Sequence, residues 1–152
     1  MVVGMWTYQH QHDIAASASV VWPLYCDVAN WPRWDEGIER VDLDGAFTVN
    51  STGVMHVRGF GPVPFVLSSV EAQRRFDTDS PMDGFTLRFE HHLEPTNDGR
   101  HSRITHRVII TGPAAEQVGP VMGPSVTADI PHSMARIAEL AEAVVESATS
   151  EA

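Results

Sequence analysis

Between residues 85 and 108 the chain reads FTLRFEHHLEPTNDGRHSRITHRV, with apolar and polar positions alternating on either side of an Asn-Asp-Gly-Arg turn. A period of two marks a strand with one buried face. Asp98-Gly99 is a favoured centre for a two-residue hairpin turn. Centring the turn there pairs Leu93 with Ile104, His91 with His106, Phe89 with Val108, and Leu87 with Ile110 on one face. On the other face Glu94 meets Arg103 and Glu90 meets Arg107, opposite charges that the turn did not presuppose. The apolar face therefore carries two facing histidines.

The same alternation opens the chain, where Trp6, Tyr8, His10, His12 and Ile14 interleave with Thr7, Gln9, Gln11 and Asp13. Next, Ser17 or Ser19 can cap a short helix carrying Val20, Val21, Trp22, Leu24 and Tyr25. The run ANWPRWDEG adds a second short helix or turn with Trp31 and Trp34 three residues apart. From Ile38 to Gly112 the pattern predicts strands at about 38–43, 46–50, 53–60, 64–72, 74–79, 84–94 and 102–112, punctuated by Gly45, Gly53, Gly61-Pro62 and Asp98-Gly99. The inward face of 53–72 stays open: Met55, Val57 and Val66 favour one phase, Val54, Phe65 and Leu67 the other.

Beyond Thr111-Gly112-Pro113 the period changes. Val118, Met122, Val126, Ile130, Met134, Ile137, Ala141 and Val144 recur at steps of three or four, one long helical stripe. Pro120, Gly123-Pro124 and Pro131 interrupt it, which predicts a broken first half and a regular second half. Residues 146–152 read as a frayed tail. This order predicts an α+β fold, a curved antiparallel sheet with a long helix across its concave face.

Composition narrows the function classes. A length of 152 residues with 43% apolar and 8% aromatic residues suits one globular domain. Ten Lys+Arg against twenty Asp+Glu give a formal charge of −10. Such a surface repels phosphate backbones and anionic bilayers, so neither nucleic acid nor membrane is expected as a partner. Cys26 is alone and cannot form an internal disulfide. The start lacks a signal-peptide pattern, and no run of about 18 apolar residues occurs. The expectation is a soluble cytoplasmic protein, monomer or homodimer.

Three words carry a resemblance: DIAASASVVWPLYCDVANWPRWDEGIERVDLDG at 13–45, GVMHVRGFGP at 53–62, and LRFEHHLEP…SRITHRVIITGPAA at 87–115. They resemble the Bet v 1-like, START-related superfamily, in its polyketide cyclase/dehydrase-like branch, from about residue 5 to 145. The resemblance implies a helix-grip fold over 1–152. It also implies a cavity between sheet and long helix that holds a small apolar or aromatic molecule.

Within that frame His91 and His106 have two readings. They are general acid/base groups or hydrogen-bond contacts to a ligand carbonyl or phenol, or they are buried histidines bonded to each other or to backbone. The expected wall comprises Leu87, Phe89 and Val108 on the sheet and Met122, Val126, Ile130 and Met134 on the helix. Tyr8 has a hydroxyl that can orient a ligand, whereas Tyr25 reads as helix packing. Trp34 and Trp31 form either a lip at the cavity mouth or a cap on the core. Arg58 anchors an anionic or carbonyl group if it points inward, although an Arg beside a turn is more often solvated. His10, His12 and His56 match none of the recognised ligand spacings, so no metal or other cofactor is expected. Glu90, Glu94, Arg103 and Arg107 read as surface pairs. The leading expectation is binding of that apolar molecule, with aldol-type cyclisation or dehydration if the protein is an enzyme. The alternative is a non-catalytic lipid or small-molecule carrier or ligand-sensing module, and a weaker third is a protein-interaction module.

Overall fold

A computed structural model describes residues 4–150. The chain runs β1 (Met5–Ile14), α1 (Ala18–Cys26), a 3-10 turn (Val28–Asn30) and α2 (Trp31–Trp34). Six strands follow: β2 (Ile38–Asp44), β3 (Thr52–Val57), β4 (Gly61–Glu71), β5 (Arg75–Pro81), β6 (Thr86–Thr96) and β7 (His101–Thr111). Two helices, α3 (Ala115–Thr127) and α4 (Ile130–Ser150), close the sequence. The strands form one curved antiparallel sheet in the order β1-β7-β6-β5-β4-β3-β2. α3 and α4 pack on β1 and β7, and α1 and α2 pack on α4, with α2 also against β2 at the opposite edge.

The β6–β7 hairpin has the register that its turn predicts, Leu87↔Ile110 through Leu93↔Ile104, with His91 opposite His106. Asn97, Asp98 and Gly99 are all left-handed, with φ of 53°, 57° and 81°, and the Asp98–Gly99 pair has the turn geometry that matches strand twist. The Arg100 N–H closes the turn on the Asn97 carbonyl at 3.2 Å.

No strand forms at 46–50; β2 passes to β3 through a loop. Phe47 is the reason: its ring turns inward to meet Trp22 and Phe76, with centroids at 6.2 and 5.4 Å. A strand through this segment would compete with that burial. The ambiguous face of 53–72 also resolves. A three-residue turn pairs Val57 with Gly61, Met55 with Val63 and Gly53 with Phe65, so odd-numbered residues share the inner face. A bulge between Leu67 and Ser69 then shifts the phase, and Val70 faces Phe76. Each trial phase had drawn its members from both sides of the sheet.

The terminal helix breaks at Ala128–Asp129, just ahead of Pro131. On α3 the most buried face is Ala115, Gly119, Gly123 and Thr127; Val118, Met122 and Val126 are only half-buried. On α4 Met134, Ile137 and Ala141 are fully buried, whereas Val144 is exposed. Residues 146–150 continue α4, and 151–152 lie outside the described residues. No helix among the described residues is long and apolar enough to cross a membrane.

Candidate ligand-binding site

Strand pairing sets the inner face of the sheet out in rows. One row is His10–His106–His91–Phe76, across β1, β7, β6 and β5; the next is Tyr8–Val108–Phe89–Thr78. The two rows differ in how they are covered.

The histidine row is closed. α1 lays the fully buried Tyr25 over it, and the Tyr25 hydroxyl shares a 2.7 Å hydrogen bond with His106 Nε2. His91 Nδ1–H donates to the Phe76 carbonyl at 3.2 Å, and its ring stacks on that of Phe76 at 3.9 Å. The two imidazoles meet edge to face at 4.6 Å, with Trp34 beside both. Burial removes the water that would stabilise an imidazolium. His91 is thereby pushed down to about 3, against the partial help of the Phe76 carbonyl. His106 falls well below the usual range for the same cause, reinforced by neighbouring histidines. Burial raises the Tyr25 phenol. Near neutral pH Tyr25, His91 and His106 are therefore uncharged.

The adjoining region is covered less completely. Leu87, Val108, Ile110 and Ala115 form a buried floor. Around it Trp6 and Tyr8 of β1, Met82 and Phe85 of the β5–β6 connection, Phe89 of β6, Val126 of α3 and Ile130 of α4 remain only partly buried. This apolar surface spans the sheet and both arms of the bent helix.

The structure thus brings Tyr8, Leu87, Phe89, Val108, Val126 and Ile130 together. Met122 lies half-buried one turn before Val126. Met134 belongs to the main core with Tyr25 and Phe76. Trp34 is 4% exposed and donates its indole N–H to the Leu24 carbonyl, so it caps the core and forms no lip. Arg58 stands apart on the exposed β3–β4 turn, where its Nε donates to the Glu36 carbonyl. Of the outer-face pairs, Glu94 meets Arg103 at 3.8 Å. Glu90 lies opposite Arg107 but turns to His92 at 3.2 Å and Arg88 at 3.9 Å, and it is buried. A crowded cross-strand charge array covers it, so it is no surface residue. No group of three or more His, Cys, Asp or Glu is placed to hold a metal ion among the described residues. Tyr25, Met82 and Phe85 were not picked out as site residues. Tyr25 read as helix packing and Met82 lies outside any periodic stretch, whereas Phe85 continues the Leu87–Phe89 alternation in phase and was within reach of it.

A curved seven-stranded antiparallel sheet gripping a bent C-terminal helix defines a Bet v 1-like, helix-grip protein. Within that class the chain belongs to the polyketide cyclase/dehydrase and lipid transport family, whose model matches residues 5–142. Among solved structures, norcoclaurine synthase from Thalictrum flavum is similar with a TM-score of 0.73 and 16% identity, covering 95% of this chain and 88% of that one. The same enzyme in complex with dopamine and hydroxybenzaldehyde gives 0.71 at 18% identity, over 95% and 88%. Ara h 8.0201 gives 0.68 at 13% identity, over 92% and 99%. A search of curated proteins found no significant match.

Proposed function

We propose that this protein binds a small, largely apolar or aromatic molecule between the sheet and the α3–α4 bend, as a carrier or ligand sensor. The observation that carries the reading is the ring of partly buried apolar side chains, Tyr8, Met82, Phe85, Phe89, Val126 and Ile130, around one buried floor. Apolar surface left in contact with water forgoes about 25 cal/mol per Å², and an apolar guest recovers it. The family description includes lipid transport, and a fold relative holds dopamine and hydroxybenzaldehyde; both support a guest of this kind.

The histidine pair fits a supporting role better than proton transfer. A base effective near neutrality needs a pKa near the working pH, whereas His91 sits at about 3 and lies sealed against Phe76. One observation favours cyclase or dehydrase chemistry as a second reading: the Tyr25–His106 hydrogen bond couples a hydroxyl to an imidazole.

Titration with a fluorescent apolar probe such as anilinonaphthalene sulfonate tests the binding reading. Saturable enhancement is expected, with affinity reduced at least about tenfold in Val126→Glu, the effect of placing a charge against an apolar guest. Undiminished binding by a folded Val126→Glu variant would contradict it. Turnover of a polyketide-like substrate that disappears in Tyr25→Phe would instead favour the second reading.

A further inference from the structure

The outer face of the sheet carries an open groove of about 590 Å³ across β2, β3, β4 and the end of β5. Val54, Pro64, Val66 and Pro81 supply apolar wall, and Asp42 and Asp44 stand among them. Asp42 is held by Arg40 at 3.3 Å and His56 at 2.9 Å. Asp44 has no ion-pair partner among the described residues.

The tip of the β3–β4 hairpin presents the complementary shape. Phe60 is 64% exposed, the one aromatic ring among the exposed large apolar side chains of the described residues. Arg58, two positions earlier, has no carboxylate partner among them, and its guanidinium bonds the Glu36 carbonyl. The tip cannot fold into its own groove. Pro64 lies four residues from Phe60, about 13 Å along a strand, and the ladder Val57↔Gly61 to Thr52↔Val66 keeps the hairpin extended.

We infer that two copies of this chain form a two-fold dimer in which Phe60 of each enters the groove of the other and Arg58 meets Asp44. Both halves of the contact lie on or beside one hairpin, so two equal contacts close about a single axis with nothing left to propagate. The groove is open to solvent, and its volume is ample for one phenyl ring. An aromatic anchor in an apolar pocket, rimmed by a guanidinium–carboxylate pair, is the chemistry that concentrates binding energy at interfaces.

Sedimentation equilibrium of the full chain tests this, with circular dichroism to confirm folding. Wild type is expected to dimerise, and Phe60→Asp and Val54→Lys should each raise the dimer dissociation constant at least about tenfold. Arg58→Glu should weaken the dimer, and adding Asp44→Arg should restore it in part, which simple loss of fold would not do. In a Cys26→Ser background, mixing Phe60→Cys protein with Val54→Cys protein should yield a disulfide-linked pair. A wild type that stays monomeric overturns the inference. So does a dimer indifferent to both apolar substitutions, or a Phe60→Asp variant that loses only probe binding.

Discussion

His91 and His106 are kept neutral by the layer around them, and this has a measurable consequence. The folded value of His91 is about 3, while an unfolded histidine titrates near about 6.5. Between those values the unfolded chain binds the extra proton, so stability is fully present above about pH 6.5 and declines as the pH falls. The loss is about 1.4 kcal/mol per pH unit for this residue, and His106 shifts in the same direction. Urea unfolding between about pH 6.5 and 5, above the range where carboxylates dominate, should show a slope shallower by about one proton in His91→Gln. An unchanged slope would mean that the imidazole is not buried as described. Tyr25→Phe leaves His106 Nε2 without its 2.7 Å partner. An unpartnered buried polar group costs about 1–3 kcal/mol, to be read from the urea midpoint at constant m-value.

At the scale of elements, the seat of α3 on β1 rests on two glycines. A Cβ at Gly119 would lie 2.5 Å from Trp6 Cβ, and one at Gly123 would lie 2.4 Å from Trp6 Cζ2. Gly119→Ala gains about 1 kcal/mol of helix propensity, but the overlap with a side-chain root that cannot swing away costs about 1–3 kcal/mol. The net expectation is a loss of stability in thermal unfolding, smaller in a Trp6→Gly background, where the opposing Cβ is gone. Additive effects of the two substitutions would contradict this packing. The same helix shows where sequence pattern stops informing. The stripe Val118, Met122 and Val126 marked a helix, which runs unbroken through Pro120 and Pro124 and breaks only ahead of Pro131; size is a poor guide to depth when backbone approach is closest. Small residues spaced by four, Ala115, Gly119, Gly123 and Thr127, marked the buried face. The β6–β7 hairpin was fully legible because one turn dipeptide sets its register and charge pairs check it. The strand proposed at 46–50 failed because Phe47 serves tertiary burial, and the 53–72 face was obscured by a bulge that period-two counting cannot see.

At the scale of the molecule, the fold separates a closed interior from an open one. α1 and α2 bring Tyr25, Trp31 and Trp34 over the histidine row and fill that end. The bend at Ala128–Asp129 lets α3 and α4 approach the other end from two directions, leaving the apolar ring around Leu87, Val108 and Ile110. Of the candidate site, the sheet half was legible in the sequence, since alternation assigns faces. The same alternation extends to Phe85, but the part supplied by Met82 was not legible, since a loop side chain gains its neighbours only from the tertiary fold. The central claim is that this ring receives a guest. Two-dimensional NMR of the labelled protein, titrated with an apolar aromatic probe, tests it most directly. Saturable shifts should appear at Tyr8, Phe89, Val126 and Ile130, with the Tyr25–His106 layer moving little. Shifts confined to the outer groove at Val54 and Val66, or none at all, would contradict the account.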